Sequence, residues 1–347
     1  MLPQLLRHAL FAALCSCTTL TAAQLEVVEI PGVTLRDNPL HDPAARPAAV
    51  LSPDNTDSRT PLPLVIYLPG WGGSSQGVIA EGKSSFLARV VDDLAGAGTP
   101  FRIAVVDGRS RYGGSQFLNS TATGRYADYV AKEVFDLLMH RYATSSDHSA
   151  SCIIAGHSSG GYGALMLAMG NHDRFFAVVA LSPDSDFEVT HKPLAQQASV
   201  RAVTPQELET VMGPVDKARL PGEGLAALIV GLCANYTPDP AHPGRFEWLY
   251  DSSGNWQAAA WKRWIDCDPL TAVRRHEDAF APTQRVFLDG PDHDDFGANI
   301  GARKIYDVVK NRSAPVNFQE PAGRHSDHLV ERLEFGLTWA LGHEAKH

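Results

Sequence analysis

The sequence predicts an α/β fold in which helices cover both faces of a mostly parallel sheet. Several short runs are apolar at every position, and a helix-like stretch follows most of them. A strand that is apolar throughout is typical of a parallel sheet buried on both faces, whereas a strand with one face in water alternates apolar and polar residues. Alternation of such strands with helices therefore indicates strand–helix–strand units.

The predicted elements follow one another regularly in the first half of the chain. Residues 24–51 contain short strands and turns, broken by four prolines. Apolar strands are then predicted at residues 64–68, 101–106, 151–155 and 176–181. The helix-like stretches between them end at about residues 94, 142 and 169.

The alternation stops between residues 182 and 283. This stretch carries proline-rich loops, a predicted helix at 205–212, and an apolar run at 225–232 that fits either a helix or a strand. The rhythm resumes with a strand at 285–288, a helix at 297–310, a strand at 315–319 and a helix ending at 341. We therefore predict one α/β domain over residues 24–347, with a cap-like insertion at about 182–283.

The composition excludes several classes of protein. The 347-residue chain is 44% hydrophobic and 20% charged, which lacks the bias of collagen-like, coiled-coil or disordered sequences. Its 30 Lys and Arg residues against 39 Asp and Glu residues give a net charge of −9. Because phosphate binding needs clustered Lys and Arg, we expect neither nucleic acid nor anionic lipid as a main partner.

Residues 1–23 are predicted to be a secretory signal peptide. Arg7 supplies a positive charge, residues 9–14 an apolar core, and Thr21-Ala22-Ala23 a cleavage site of small residues. The apolar run is shorter than the roughly 20 residues that span a bilayer. The sequence thus predicts a secreted or periplasmic protein without an integral membrane segment; a lipid-anchored form is the less favoured alternative.

Three cysteines follow the predicted signal peptide: Cys152, Cys233 and Cys267. In an oxidising compartment they allow one disulfide and one free thiol. Cys152 lies in an apolar run and is expected to be buried. That leaves Cys233 and Cys267 as the pair to test.

Residues 156–160 form a Gly-x-Ser-x-Gly pattern. The pattern follows an apolar strand and begins a helix, which is the setting of a nucleophile elbow. A sharp turn at Ser158 needs small neighbours, and Gly156 and Gly160 provide that space. We therefore predict Ser158 as a nucleophile.

The run Gly-His-Ser-Ser-Gly-Gly-Tyr-Gly-Ala-Leu at 156–165 resembles the elbow of the esterase D-like, or "Putative esterase", family of α/β-hydrolases. That family includes S-formylglutathione hydrolases, feruloyl esterases, enterochelin esterases and antigen 85 mycolyltransferases. Residues 66–73 resemble its first parallel strand and oxyanion loop, and residues 114–126 resemble its segment between the next strand and helix. The resemblance implies an α/β-hydrolase fold and a serine esterase.

Ester cleavage through a serine needs hydrogen-bond donors for the oxygen that becomes negative. One expected donor is the backbone N–H of Ser159, directly after the nucleophile. The other is expected from the loop after the first parallel strand, at the backbone N–H of Trp71. The Trp71 side chain is a candidate wall of the substrate pocket.

The serine also needs a histidine base and an acid, in the chain order Ser, acid, His. Two arrangements compete. In the first, the acid lies in residues 292–295 and the base is His325. In the second, residues 225–232 form the penultimate strand, Asp239 is the acid and His293 is the base.

We favour the first arrangement. Gly323-x-His325 before a terminal helix is similar to the family's base loop, and Asp294 matches its Asp-x-Phe pattern. Asp295 remains an alternative acid because the spacing after Gly290 is longer than the family's. The same acidic cluster with His325 and His328 also allows a divalent metal site. No tight ligand motif supports that reading, so we predict neither a metal nor a cofactor.

The insertion holds four of the six tryptophans: Trp248, Trp256, Trp261 and Trp264. They are expected either to line a substrate pocket or to form the insertion's own core. The predicted function is a secreted serine carboxylic-ester hydrolase that forms an acyl-enzyme at Ser158, acting on a small-molecule or carbohydrate-linked ester. An acyltransferase of the same fold and a non-catalytic hydrolase-like binding protein are the alternatives.

Overall fold

The computed structural model of the protein describes residues 22–142, 152–213 and 224–342. Apart from its last two residues, the predicted signal peptide lies outside these ranges. The described strands are β1 (Gln24–Ile30), β2 (Arg46–Ser52), β3 (Leu64–Leu68), β4 (Arg102–Val105), β5 (Asn119–Ser120), β6 (Gly124–Arg125), β7 (Cys152–His157), β8 (Ala177–Leu181), β9 (Arg285–Asp289) and β10 (Val316–Gln319).

Eight of these strands form one sheet, in the order β1-β2-β4-β3-β7-β8-β9-β10. β2 pairs antiparallel with β1 and β4, and every later pairing in the sheet is parallel. β5 and β6 form a separate two-stranded ribbon. The predicted mostly parallel sheet is confirmed, and its strands begin and end within about two residues of the predicted positions.

The described helices are α1 (Ser75–Glu81), α2 (Phe86–Gly96), α3 (Tyr126–Asp128), α4 (Phe135–Tyr142), α5 (Ser159–Gly170), α6 (Phe187–Thr190), α7 (Lys192–Ala195), α8 (Ala198–Arg201), α9 (Pro205–Val211), α10 (Leu225–Tyr236), α11 (Ala258–Asp266), α12 (Pro269–Arg275), α13 (Ala298–Val309) and α14 (Leu329–Ala340). A π-helical stretch, Tyr129–Val134, joins α3 to α4. None of the described helices is both long and apolar enough to cross a membrane.

Helices cover both faces of the sheet, and β3 shows why its sequence is apolar throughout. Leu64, Ile66 and Leu68 pack in a core with residues of α4, α5, α12 and α13. The alternate residues Val65 and Tyr67 pack on the opposite face with residues of α1, α2 and α14. Since each fully buried aliphatic side chain contributes about 1.5–3 kcal/mol, both faces of the strand favour apolar residues.

The chain between β8 and β9 has a core of its own. It contains α6 to α12, and many of their apolar side chains form a third buried cluster beside the sheet. The run at 225–232 belongs to helix α10, not to a strand. Because β8 pairs directly with β9, the sheet has no position for a strand there, and the second arrangement of acid and base loses its structural basis.

The candidate disulfide between Cys233 and Cys267 is not formed in this structure. Both thiols are free, as is that of Cys152. Cys233 is buried within α10 and hydrogen-bonds to Thr237 and to the backbone of Leu249. Its local contacts are therefore satisfied without a disulfide.

Candidate active site

Ser158 occupies a sharp turn between β7 and α5. Its φ of 57° and ψ of −123° lie in a region that residues with a side chain rarely adopt. The turn brings backbones close together: a Cβ on Gly156 would lie 2.3 Å from the Gly160 oxygen, and one on Gly160 would lie 1.9 Å from the Leu68 oxygen. Glycine is thus required on both sides of Ser158, as the pattern predicts.

Asp294 and His325 are joined by a hydrogen bond. Nδ1 of His325 lies 2.7 Å from Oδ2 of Asp294, and the Asp294 side chain is fully buried. The other carboxylate oxygen of Asp294 accepts from the backbone N–H groups of Phe296 and Ala298, at 2.9 and 3.2 Å. Burial acts to raise the pKa of Asp294, but the hydrogen bond and charge of His325 with these two N–H groups outweigh it and lower the pKa. The carboxylate is therefore ionised and held in one orientation.

The second ring nitrogen of His325 has no hydrogen bond within the part of the chain that the structure describes. Its Nε2 atom is buried and has no hydrogen-bond partner among the described residues. Ser158 and His325 line the same cavity, which has a volume of about 370 Å³. The rings of Phe296 and His325 pack edge to face, with their centroids 4.7 Å apart. His325 thus has one nitrogen oriented by a carboxylate and the other without a described partner.

Two buried side chains hold the backbone of His325. Its carbonyl lies 3.0 Å from Nε2 of His157 and accepts a bond of 3.0 Å from Arg332. Since a carbonyl only accepts, the proton of His157 is assigned to Nε2. Burial, reinforced by the nearby His325, lowers the pKa of His157 to about 3, so His157 is neutral. Arg332 is in turn paired with Asp289 through two bonds of 2.8 Å.

The other acid candidates are placed differently. Asp295 is exposed, pairs with Arg324, and accepts only a long 3.4 Å bond from the His325 backbone. Asp239 hydrogen-bonds to His242, and His293 to Asp292. Neither Asp239 nor His293 lines the cavity with Ser158. The structure therefore brings together the residues of the first arrangement, in which the Asp294 carboxylate is hydrogen-bonded to His325.

The two residues expected to supply oxyanion donors, Ser159 and Trp71, line the same cavity as Ser158. Ser159 is the first residue of α5, where N–H groups have no acceptor within the helix and the helix dipole favours negative charge. The loop carrying Trp71 passes over Ser158, since a Cβ on Gly70 would lie 3.5 Å from the Ser158 Cβ. Gly70, Trp71 and Ser159 all line the cavity. These elements follow the carboxyl ends of parallel strands, the edge where open α/β sheets bind ligands.

Comparison with known proteins decides the family. The model of the family described as "Putative esterase" matches residues 44–340. The chain belongs to this esterase family. It is a carboxylic ester hydrolase, as the resemblance of its elbow implies.

Solved structures resemble the esterase over most of its length. A ferulic acid esterase is 16% identical with a TM-score of 0.57, and the match covers 92% of this chain and 96% of that one. An S-formylglutathione hydrolase from Agrobacterium tumefaciens is 17% identical with a TM-score of 0.56, covering 92% and 95%. The fluorophosphonate-binding serine hydrolase F of Staphylococcus aureus is 16% identical with a TM-score of 0.55, covering 92% and 99%. At these identities the likeness shows the fold, and the predicted α/β-hydrolase fold is confirmed.

The cavity of the esterase also contains residues that the sequence did not single out. One set is polar (Asp184, Thr190 and His191), and another is apolar (Leu194, Leu228 and Leu232). Asp184 comes three residues after the end of β8, so its place at the carboxyl edge of the sheet was a usable signal. The others lie on α6, α7, α10 and their junctions, which no motif marks. The region between β8 and β9 thus forms one wall of the cavity.

None of the four tryptophans between β8 and β9 lines this cavity. Trp256, Trp261 and Trp264 contact one another in sequence with tilted rings, whose centroids are 5.4 Å apart at each step. They form part of the third core. The tryptophan in the cavity wall is Trp71, and the region's contribution is chiefly aliphatic and polar. Within the described residues, no three His, Cys, Asp or Glu side chains are grouped to hold a metal ion.

Proposed function

We propose that the esterase is a secreted serine carboxylic-ester hydrolase that forms an acyl-enzyme at Ser158. The observation that carries the proposal is the arrangement at His325. Its Nδ1 is bonded to Asp294 at 2.7 Å, while its Nε2 has no described partner in the cavity that Ser158 also lines. That is the geometry of a general base with its orienting acid.

In the first half of the reaction, Ser158 Oγ attacks the ester carbonyl while His325 Nε2 takes its proton. Asp294 holds the imidazole in the tautomer with its proton on Nδ1 and stabilises the imidazolium that forms. The oxygen that becomes negative accepts hydrogen bonds from the N–H groups of Ser159 and Trp71. As the tetrahedral intermediate collapses, His325 returns its proton to the leaving alcohol, and the acyl group stays on Ser158.

In the second half, water replaces the alcohol. His325 takes a proton from the water, which attacks the acyl carbonyl at the same oxyanion site. Collapse of this intermediate releases the acid, and His325 returns the proton to Ser158 Oγ. The same three side chains and two N–H groups therefore serve both steps.

Replacement of Ser158 by alanine tests this mechanism. Ser158→Ala is expected to lower kcat for 4-nitrophenyl butyrate on the order of 10⁶-fold and to abolish labelling by a fluorophosphonate probe. Ser253→Ala, an exposed serine in the chain between β8 and β9, is the matched control and should be labelled and active. Wild-type turnover in Ser158→Ala would refute the acyl-enzyme.

Secretion is supported by the signal pattern of residues 1–23, with its positive charge, apolar core and small-residue site. Expression of the full chain in a secreting bacterial host, followed by N-terminal sequencing, tests it. The exported protein is expected to begin at Gln24. Recovery of the intact N-terminus in the cytoplasmic fraction alone would contradict export.

A further inference from the structure

The substrate cavity has an open rim and a closed wall. Phe296 is 44% exposed, and Ser326 beside it is exposed as well. Asp184, Thr190 and His191 on the wall are almost buried, with the side chains of Asp184 and His191 14% and 5% exposed. His325 must deliver a proton to the leaving alcohol, so the alcohol lies at the His325 end, beside the rim. The acyl group is thereby directed to the wall.

Asp184 is held with one of its oxygens unused. Oδ2 accepts from Ser159 Oγ at 2.9 Å and from Gln116 Nε2 at 3.2 Å. The other hydrogen of that amide goes to Tyr236, at 2.8 Å, which fixes Gln116 in place. No donor among the described residues bonds to Oδ1. The carboxylate thus presents a second acceptor oxygen at the cavity that it lines.

His191 adds a second acceptor beside it. Its Nδ1 lies 2.8 Å from Thr190 Oγ1, whose own proton has a backbone acceptor at 3.1 Å in Ser185. This network assigns the proton of His191 to Nδ1 and leaves a lone pair on Nε2. Burial lowers the pKa of His191, which favours the neutral ring. Nε2 lies 3.8 Å from Asp184 Oδ2, too far for a hydrogen bond.

The cavity lining contains no Lys or Arg among its described residues. An acyl group that ends in a carboxylate would therefore meet Asp184 without a compensating cation. A neutral hydroxyl could donate to Asp184 Oδ1 or His191 Nε2 without a charge penalty. A site built around acceptors also discriminates against the analogue that lacks the donor, because the acceptors then lose water and gain nothing.

We propose that Asp184 and His191 form an acyl-recognition subsite that selects esters whose acyl chain carries a hydroxyl group and rejects acyl chains that end in a carboxylate. This inference rests on the proposed ester hydrolysis at Ser158. It assigns to the site a substrate class, the hydroxyacyl esters.

Three esters with one leaving group test the subsite: 4-nitrophenyl butyrate, 3-hydroxybutyrate and hemisuccinate. For the wild type, kcat/KM is expected to be at least tenfold higher for the hydroxybutyrate than for butyrate, and lower for the hemisuccinate than for butyrate. Equal values for butyrate and hydroxybutyrate would overturn the proposal. Hydrolysis of butyrate with Ser158 labelled, but no hydroxyl preference, would refute the subsite alone; no hydrolysis and no labelling would refute the proposed function.

Asp184→Asn sharpens the test. Ser159 Oγ and Gln116 Nε2 both donate, so the amide oxygen takes their side and its NH₂ group turns to the cavity. The variant then offers a donor where the wild type offers an acceptor. The hydroxyl preference is expected to fall to threefold or less, and the ratio of hemisuccinate to butyrate hydrolysis to rise at least tenfold. Unchanged ratios would overturn the proposal.

Two further variants control for folding and position. His191→Phe keeps a ring that can stack on Phe187, as His191 does at 4.4 Å, and is expected to reduce the hydroxyl preference. Asp239→Asn makes the same chemical change away from the cavity and should leave both ratios as in the wild type.

A second series of substrates, ethyl butyrate against 2-hydroxyethyl butyrate, varies the alcohol and keeps the acyl group constant. A hydroxyl preference confined to this series would overturn the acyl assignment.

Discussion

Arg332 donates a hydrogen bond of 3.0 Å to the backbone carbonyl of His325. The same guanidinium is paired with Asp289 at the end of β9, and the two side chains are only 3% and 1% exposed. It also donates to Ser182 Oγ at the end of β8, at 2.7 Å. One buried cation therefore connects the loop of His325 to two neighbouring strands of the sheet.

Arg332→Met is expected to destabilise the esterase strongly, by about 3–5 kcal/mol, because Asp289 would keep a buried charge without its partner. Urea unfolding followed by circular dichroism measures the loss. Arg303→Met, which removes an ion pair with the partly exposed Glu320, should cost less than about 1 kcal/mol. Similar losses of unfolding free energy in the two variants would show that the buried Arg332–Asp289 pair stabilises the protein no more than an exposed pair does.

Asp294→Asn is expected to reduce kcat for 4-nitrophenyl butyrate by about 10⁴-fold, since the amide favours the wrong imidazole tautomer. Asp295→Asn and Asp239→Asn should each stay within about tenfold of the wild type. Steady-state kinetics with all three variants decide the acid. Near-normal activity in Asp294→Asn would reject the proposed role of Asp294.

The sequence could predict the parts of this site that depend on local backbone constraints. Gly156 is required by its close approach to Gly160 within the same turn, and Gly160 by its contact with Leu68 on the neighbouring strand β3. Because the turn at Ser158 places both glycines in one short pattern, that pattern is visible in the chain. Asp294 and Asp295 are a different case: one is buried against His325 and its neighbour is exposed, and only the direction of the loop decides between them. The Leu- and Ala-rich run of α10 was ambiguous because a fully buried helix and a fully buried strand are both apolar at every position.

His157→Gln is expected to lose less stability than the wild type as the pH falls from 6.5 toward 3. Burial lowers the pKa of His157 to about 3, whereas an unfolded histidine titrates near 6.5. Between these values the unfolded chain binds more protons, so stability falls as the pH falls from 6.5 toward 3. Glutamine can still donate to the His325 carbonyl but does not titrate.

Urea unfolding at pH 7, 6 and 5 measures this dependence. The slope of unfolding free energy against pH should be smaller in His157→Gln by up to about 1.4 kcal/mol per pH unit. His293→Gln, at a side chain that is 81% exposed, serves as the control. Identical slopes for His157→Gln and the wild type would contradict the buried neutral histidine.

Glu334 is expected to act in the opposite direction. Burial, followed by the charge of Asp93 and its hydrogen bond, raises the pKa of Glu334 to about 7, with Glu331 adding to the effect and Arg89 opposing it. The folded state therefore binds this proton more tightly than the unfolded state. The resulting stability is fully present below pH 4.5 and is lost as the pH rises through 7.

Glu334→Gln removes that titration, so the variant should lose less stability than the wild type between pH 4.5 and 8. Thermal unfolding across this range measures it. Glu277→Gln, in an exposed turn, should follow the wild type. A parallel course for Glu334→Gln and the wild type would show that burial and Asp93 do not raise the pKa of Glu334.

Gly231→Ala tests the close packing of the Trp71 ring against helix α10. A Cβ at this helical position would lie 2.3 Å from the Trp71 ring and 2.4 Å from the backbone oxygen of Tyr112. Overpacking of this kind costs about 1–3 kcal/mol, and displacement of Trp71 should lower kcat/KM at least tenfold. Gly77→Ala in α1 meets no atom within 4 Å and should stabilise by about 0.5–1 kcal/mol. A gain in stability with full activity in Gly231→Ala would contradict the close packing.

β8 and β9 are adjacent and parallel, yet the whole region that forms the polar and aliphatic wall of the cavity runs between them. The chain leaves the sheet after Leu181 and returns at Arg285 without disturbing the pairing of either strand. The segment between β8 and β9 can therefore be replaced as a unit, in evolution or by engineering, while Ser158 and the loops of Asp294 and His325 stay in place. Such grafts are expected to change which esters the enzyme accepts while the reaction, ester hydrolysis, stays the same.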